Sequence, residues 1–339
     1  MTALRSFVVL FFPALMLLLP QSLLALDSTA NAAQASFARA DTVASAAPAS
    51  KPSNPFINPA SPPESYLNLS AIRTVLEGFE DRIILALIER AQYAYDPRLY
   101  SPQQHKQGSS KDKASTLDWF LKAQEKTLAL TGQWQLPVQE PFTPRKHLPA
   151  PIFPVPAYPQ VLHGAAANIS FAAKLKQAYI KSTLPSLDLP AVATASNTND
   201  HAADPALGPT LQAESAVLHL LSSRIHIGRY VAESKYASNS SAYAEPIRTR
   251  NTAELQRLVT NKTVEDANIA RVRQKAAAYN FTRGIDAVGS LYADVLIPIT
   301  KDVEVSDFPC CPGRSFVMSA HSRLPSSAFK IGYLLGRLS

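Results

Sequence analysis

Apolar residues recur every three or four positions through most of the chain after residue 62. Leu69, Ile72, Leu76, Phe79, Ile83, Leu87 and Ala91 mark one face of a helix predicted from Ser65 to about Tyr95. The same spacing predicts helices at Thr116–Leu130, Ser170–Ser182, Thr210–Ser238, Thr252–Thr260, Thr263–Tyr279 and about Ile285–Val305. Pro-rich loops fill Leu136–Pro159, and residues 184–209 read as irregular. Alternating β-branched runs closed by Asn-Gly turns are missing, so the expected fold is all-α, built of many helices around one long central helix.

The long central segment breaks the apolar pattern in one place. Arg224 and Lys235 lie eleven residues apart, which on a helix is about 20° of net rotation, so both cations share a direction. Val217, Leu221, Gly228, Val231 and Ala232 fall within about 80° of it. Two cations on a core-facing stripe are costly unless protein carboxylates or an anionic ligand meets them. Three further places put polar groups on apolar faces. Asn261 and Glu265 stand four apart on a face continued by Ile269, Val272 and Ala276. Thr300 and Glu304 stand four apart beyond Ala293 and Ile297, and Arg73 sits between Leu69 and Ile84 with Glu77 and Glu80 near it. Each could equally be a surface salt bridge, a cap or a solvated edge. Asn261 precedes a helix, and a cap there fits as well as a ligand contact. His226 points about 200° from Arg224 on the wheel and reads as structural.

Composition narrows the partners. Of 339 residues, 46% are hydrophobic, and the formal net charge of +7 suits an anionic partner. The basic residues do not gather in one run, which argues against nucleic acid. Residues 1–25 read as a secretory signal, with Arg5, the apolar run Phe7–Leu19 and a small residue at Ala25; an N-terminal membrane anchor is the competing reading. No later segment reads as a membrane span. Residues 26–62 are rich in Ala, Ser and Pro and are expected to stay disordered. Export would make the sequons at Asn68, Asn168, Asn239, Asn261 and Asn280 available for glycosylation. The cysteines, Cys310 and Cys311, are adjacent, which suits neither a disulfide framework nor a metal site. No phosphate loop, GxSxG, HExxH or CxxC motif is present, and no cofactor is expected.

Several strings together carry a resemblance. LNLSAIRTVLEGFEDRIILALIERAQYA (67–94), LDWFL (117–121), YPQVL (158–162), SSRIHIGRYVAESKY (222–236), TNKTVEDANI (260–269) and VLIPITKDVEV (295–305) resemble the all-helical chorismate mutases of fungi and plants, in the family's order. The resemblance places the mutase domain at 63–305. It implies conversion of chorismate to prephenate by a pericyclic rearrangement, without cofactor or covalent intermediate, in a homodimer, as one step of the shikimate pathway toward aromatic amino acids. It implies that Arg73 and Arg224 hold the two carboxylates with help from Thr300, that Lys235 and Glu304 face the ether oxygen, and that Asn261 and Glu265 orient the hydroxyl region. Such a site positions a folded conformer and stabilises charge on the breaking C–O bond. Glu304 can donate to that oxygen only when protonated, so activity favouring mildly acidic pH is expected.

The chain departs from the family in four places. Members regulated by aromatic amino acids carry an Arg-Arg pair where this chain has Gly132-Gln133, and a Gly-Ser where it has Gly208-Pro209. The loop between Tyr279 and Leu291 is also shorter, so neither tryptophan activation nor tyrosine inhibition is expected. Ser306–Ile331 is an irregular insertion, a real loop or an intervening segment kept in frame, before residues 332–339 resume the last helix. With a secretory signal, the resemblance implies an extracellular effector that diverts plant chorismate, acting outside the cell or in the host cytoplasm. The competing reading is a catalytically weak or inactive effector that binds a host protein partner on a mutase scaffold.

Overall fold

A computed structural model describes residues 54–102, 114–162, 169–190 and 206–308. The chain divides into two units, 1–51 and 52–339, and every described residue belongs to the second. The signal, Asn168, the cysteine pair and the insertion beyond Phe308 lie outside the described residues.

The helices are α1 (Leu69–Arg90), α2 (Thr116–Ala129), α3 (Ala172–Ala178), α4 (Leu184–Ser186), α5 (Leu207–His226), α6 (Gly228–Ser238), α7 (Ser240–Thr249), α8 (Thr252–Val259), α9 (Lys262–Ala278), α10 (Ile285–Ser290) and α11 (Ile297–Asp307). Among the described residues there is no strand, only an isolated bridge between Pro102 and Ser115. Local chemistry starts several of the helices. Asn68 accepts from the Ala71 amide at 3.0 Å, Asn251 caps α8, and Ser115 with Asp118 forms a reciprocal capping box on α2.

Packing then assembles them. α1 lies along α5, and α11 is wedged against α6 and α8. The main core joins Ile72, Ile83 and Leu87 of α1 with Leu121 of α2, Leu218, Leu221 and Ile225 of α5, and Leu296 before α11. Each fully buried side chain of this size contributes about 1.5–3 kcal/mol. A smaller core gathers Ala232, Tyr243, Leu255, Val259, Val305 and Phe308.

The long central helix is two segments meeting at Ile227, whose φ of −59° and ψ of −25° keep the chain right-handed. Gly228 follows at the closest approach to α11. A Cβ there would stand 3.1 Å from both the carbonyl oxygen and the methyl of Thr300. The last long helix is also segmented. A π-helical turn, Leu291–Leu296, precedes α11, and another, Tyr179–Thr183, precedes α4. Each leads into a proline, Pro298 or Pro185. Proline has no N–H and clashes with the carbonyl one turn back, and a wider turn accommodates both faults.

Two sequence expectations need correction. The expected disorder does not reach Pro62: Phe56 is fully buried, with its ring 4.8 Å from that of Tyr230 and 5.6 Å from that of Tyr66. One aromatic in a polar stretch supplies enough apolar surface to anchor a short segment onto α6. The expected gap at 239–251 contains α7. Pro246 inside it disguised the pattern, while Tyr243 and Pro246 on its inner face are buried.

Candidate active site

Four helices deliver the polar groups that stood out on apolar faces. α5 and α6 present Arg224 and Lys235, α11 presents Thr300 and Glu304, and the first turn of α9 presents Glu265. Lys235 Nζ donates to Glu304 Oε2 at 2.7 Å and to the Val259 carbonyl, at the end of α8, at 2.7 Å. A cation there also suits the negative end of the α8 dipole. Lys301 Nζ donates to Glu265 Oε2 at 3.1 Å.

Arg224 is only 6% exposed. Its Nη1 donates to Thr300 Oγ1 at 3.3 Å, and its guanidinium lies 5.9 Å from the centre of the Tyr292 ring. Among the described residues it has no carboxylate partner, and its Nε has no acceptor. The nearby acid Glu80 is engaged instead by Arg271, whose Nε donates at 2.9 Å, and by Lys275 at 3.1 Å. A hydroxyl and an aromatic face replace only part of the hydration that a buried guanidinium loses.

Glu304 is 5% exposed, and burial pushes its carboxyl above the usual range. Lys235 and Arg224 oppose that rise, and Glu265 adds to it. These four side chains therefore share one electrostatic neighbourhood. The cluster sets three cations (Arg224, Lys235 and Lys301) against two carboxyl groups, Glu265 and Glu304. Positive charge is in excess there, which suits an anion.

The structure thus brings together Arg224, Lys235, Glu265, Thr300 and Glu304. Asn261 is the N-cap of α9, its Oδ1 accepting from the Val264 amide at 3.2 Å, and the residue is exposed. Arg73 is exposed near the start of α1 and makes no hydrogen bond or ion pair among the described residues. Of the two alternatives that the spacing left open, a protein carboxyl group or an anionic ligand, Lys235 takes the first, with Glu304. Two neighbours escaped the sequence reading. Lys301 adjoins Thr300, and Tyr292 lies in the π-helical turn, which upsets the wheel. His226 is structural, as expected. It is fully buried and neutral, with a pKa lowered to about 3 by burial and then by Arg229. Its Nε2 accepts the Phe171 amide at 3.0 Å and fixes the start of α3. Among the described residues no group of three or more His, Cys, Asp or Glu could hold a metal ion.

No family model matches the chain. Individual relatives do. A chloroplastic chorismate mutase of Petunia hybrida is 33% identical over 257 residues, covering 71% of this chain and 75% of the relative. A chorismate mutase of Trichoderma parareesei is 33% identical over 255 residues, covering 71% and 92%. The chain belongs to the chorismate mutase family. The crystal structure of the chloroplast chorismate mutase from Zea mays superposes with a TM-score of 0.61 at 30% identity, over 71% of this chain and 94% of that one. The fold expected from the apolar pattern is therefore the fold of the chorismate mutase family. The matched share falls short of the whole because this chain carries extra sequence.

Proposed function

We propose that this chain converts chorismate to prephenate in the cluster around Arg224. The observation that carries this reading is the buried guanidinium with no acid of its own among the described residues, inside a site with more cations than carboxyl groups. Chorismate brings two carboxylates. One would pair with Arg224 and accept from Thr300, whose hydroxyl already meets Nη1. The exposed Arg73 would fold onto the second. Lys235 and protonated Glu304 are 2.7 Å apart and would both donate to the ether oxygen as its bond to carbon breaks. Glu265, held by Lys301, would accept from the ring hydroxyl, with Asn261 beside it one turn earlier. Binding of this kind accelerates by holding the reactive conformer and by favouring the charge of the transition state.

The direct test is loss of chorismate and appearance of prephenate with purified mature protein, wild type beside Arg224→Ala. Turnover by the wild type that the variant lacks supports the reading. Binding of chorismate without turnover by the wild type would make the molecule an inert scaffold and overturn it.

We further propose a secreted homodimer that acts on chorismate outside the producing cell, as an effector, without regulation by tryptophan or tyrosine. The secretory pattern of residues 1–25 supports export, and exposure of Asn68, Asn239, Asn261 and Asn280 leaves those sequons open to modification. Gly132-Gln133 in place of an arginine pair supports the lack of regulation. A several-fold change of rate on adding either amino acid would refute the last point, and recovery of the protein only inside producing cells would refute the first.

A further inference from the structure

Asn261 heads the sequence Asn261-Lys262-Thr263, an acceptor pattern for N-linked sugar. It also stands at the rim of the Arg224 cluster, bracketed by two contacts. The Val259 carbonyl, two residues before it, accepts from Lys235 Nζ at 2.7 Å. Glu265, four residues after it, donates its amide to the Asn261 carbonyl at 3.0 Å and accepts from Lys301 through its carboxylate. Residues four apart on a helix hold their Cβ atoms about 5–6 Å from each other on one face. Whatever is attached to Asn261 therefore stands beside Glu265.

The two ends of the Asn261 amide are used differently. Its Oδ1 accepts from the Val264 amide at 3.2 Å and caps α9, while its Nδ2 has no acceptor among the described residues. Asn261, Lys262 and Thr263 are all exposed. N-glycosylation consumes the idle nitrogen and spares the working oxygen. Nδ2 bonds to the anomeric carbon of an oligosaccharide, and the bond from that carbon to the diphosphate of a lipid-linked donor breaks. The lipid diphosphate leaves and the amide gives up one proton. Oδ1 keeps its lone pairs, so the cap persists in the modified residue.

Granted the exported mutase proposed above, on which this rests, we propose that Asn261 is a glycosylation site whose occupation closes the Arg224 cluster to chorismate. An N-linked oligosaccharide is bulky and strongly hydrated. Rooted one turn from Glu265, it stands in the approach to the cations. The fold supplies an internal control in the sequon Asn280-Phe281-Thr282. Asn280 is equally exposed but follows the other end of α9. The 17 residues of that helix span about 25 Å, so a glycan there leaves the cluster open.

The test produces the whole chain in a glycosylating secretory host, recovers it from the medium and maps the occupancy of each sequon by peptide mass spectrometry. Its turnover of chorismate is compared with that of mature protein made without glycans in bacterial cytoplasm. The maximal rate of the secreted protein should fall below the bacterial one by the fraction of Asn261 that is occupied. KM should be unchanged, because closed molecules simply drop out. Thr263→Ala removes the sequon, leaves Asn261 and its cap in place, and should restore the rate; the same variant from bacteria should match bacterial wild type. Thr282→Ala, which removes the sequon of Asn280, should restore nothing. Protein from the medium that is unoccupied at Asn261, or occupied there at the full bacterial rate, overturns this proposal alone. Bacterial protein without turnover overturns the mutase reading, and a chain that never reaches the medium overturns export; either takes this proposal with it.

Discussion

Arg90 and Arg224 are both buried arginines at the ends of long helices packed against each other, and their surroundings differ in kind. Arg90 is fully buried; its Nε donates to Glu214, its Nη1 to the Tyr93 carbonyl at 2.7 Å, and its Nη2 to the Tyr100 hydroxyl at 3.1 Å. The Tyr100 hydroxyl closes the circuit by donating to Glu214. Arg224 has one hydroxyl at 3.3 Å and an aromatic ring. The first arginine is finished by the protein and ties α1 to α5. The second is left unfinished on the same bundle, with its Nε buried and without an acceptor. A buried charge that the fold has not neutralised is stabilised only when a ligand arrives. The difference between the two centres therefore separates structure from function more sharply than depth does.

The comparison can be broken by exchanging the losses. Arg224→Ala should lower turnover by at least about 10²–10³-fold, the usual effect of removing one donor that stabilises developing charge, while leaving the denaturation midpoint unchanged or higher. Arg90→Ala should do the reverse: it strands Glu214 and should cost about 3–5 kcal/mol of stability, with the surviving folded fraction keeping its rate per site. Chemical denaturation and an assay of chorismate loss on both variants would separate the two centres. If Arg224→Ala unfolded the protein as readily as Arg90→Ala, the unfinished centre would be structural.

A subtler change sharpens the picture. Glu304 is raised above the carboxylate range by burial, and in the proposed mechanism its protonated form is the donor. Wild-type kcat should therefore fall as pH rises through the folded-state pKa. Glu304→Gln donates at every pH and should flatten that fall while keeping measurable activity. A smaller effect is expected at the helix crossing, where Gly228→Ala would push on Thr300 by a few tenths of an ångström. About a tenfold loss of turnover with little change in stability should follow, since misplacement of about 1 Å can cost 10²-fold. A separate effect, on stability rather than turnover, belongs to Asp307. Its folded pKa of about 8 lies above the ordinary 3.8, so the unfolded chain releases that proton first. The contribution of Asp307 to stability is whole below about pH 4 and is lost as pH rises toward 8. Asp307→Asn should remove that slope, read as the denaturation midpoint across the same range.

Much of this was legible beforehand because helical spacing is a strong signal. The shared direction of Arg224 and Lys235, and of Thr300 and Glu304, follows from 100° per residue and survives in the structure. Spacing cannot say which acid meets which base. Lys235 with Glu304, and Lys301 with Glu265, are contacts between helices far apart in sequence, so spacing left the partner of Lys235 open and gave no sign of the second pair. Asn261 carried two readings because a cap and a ligand contact ask for the same amide, and the geometry displays the cap. Phe56 and α7 were hidden for opposite reasons: one ordered residue cannot make a pattern, and Pro246 spoils one that exists.

The π-helical turn before α11 has a consequence for how tolerant the gene can be. A wide turn carries about one residue more than an ordinary turn of the same rotation, so the helix on either side keeps its azimuth. Deleting one residue within Leu291–Leu296 should therefore let the turn close to ordinary winding with Thr300 and Glu304 still facing Arg224 and Lys235. Deleting one residue between Pro298 and Thr300, where no wide turn absorbs the change, should rotate the rest of α11 by about 100°. The same loss of one codon is thus absorbed on one side of Pro298 and carries the site apart on the other.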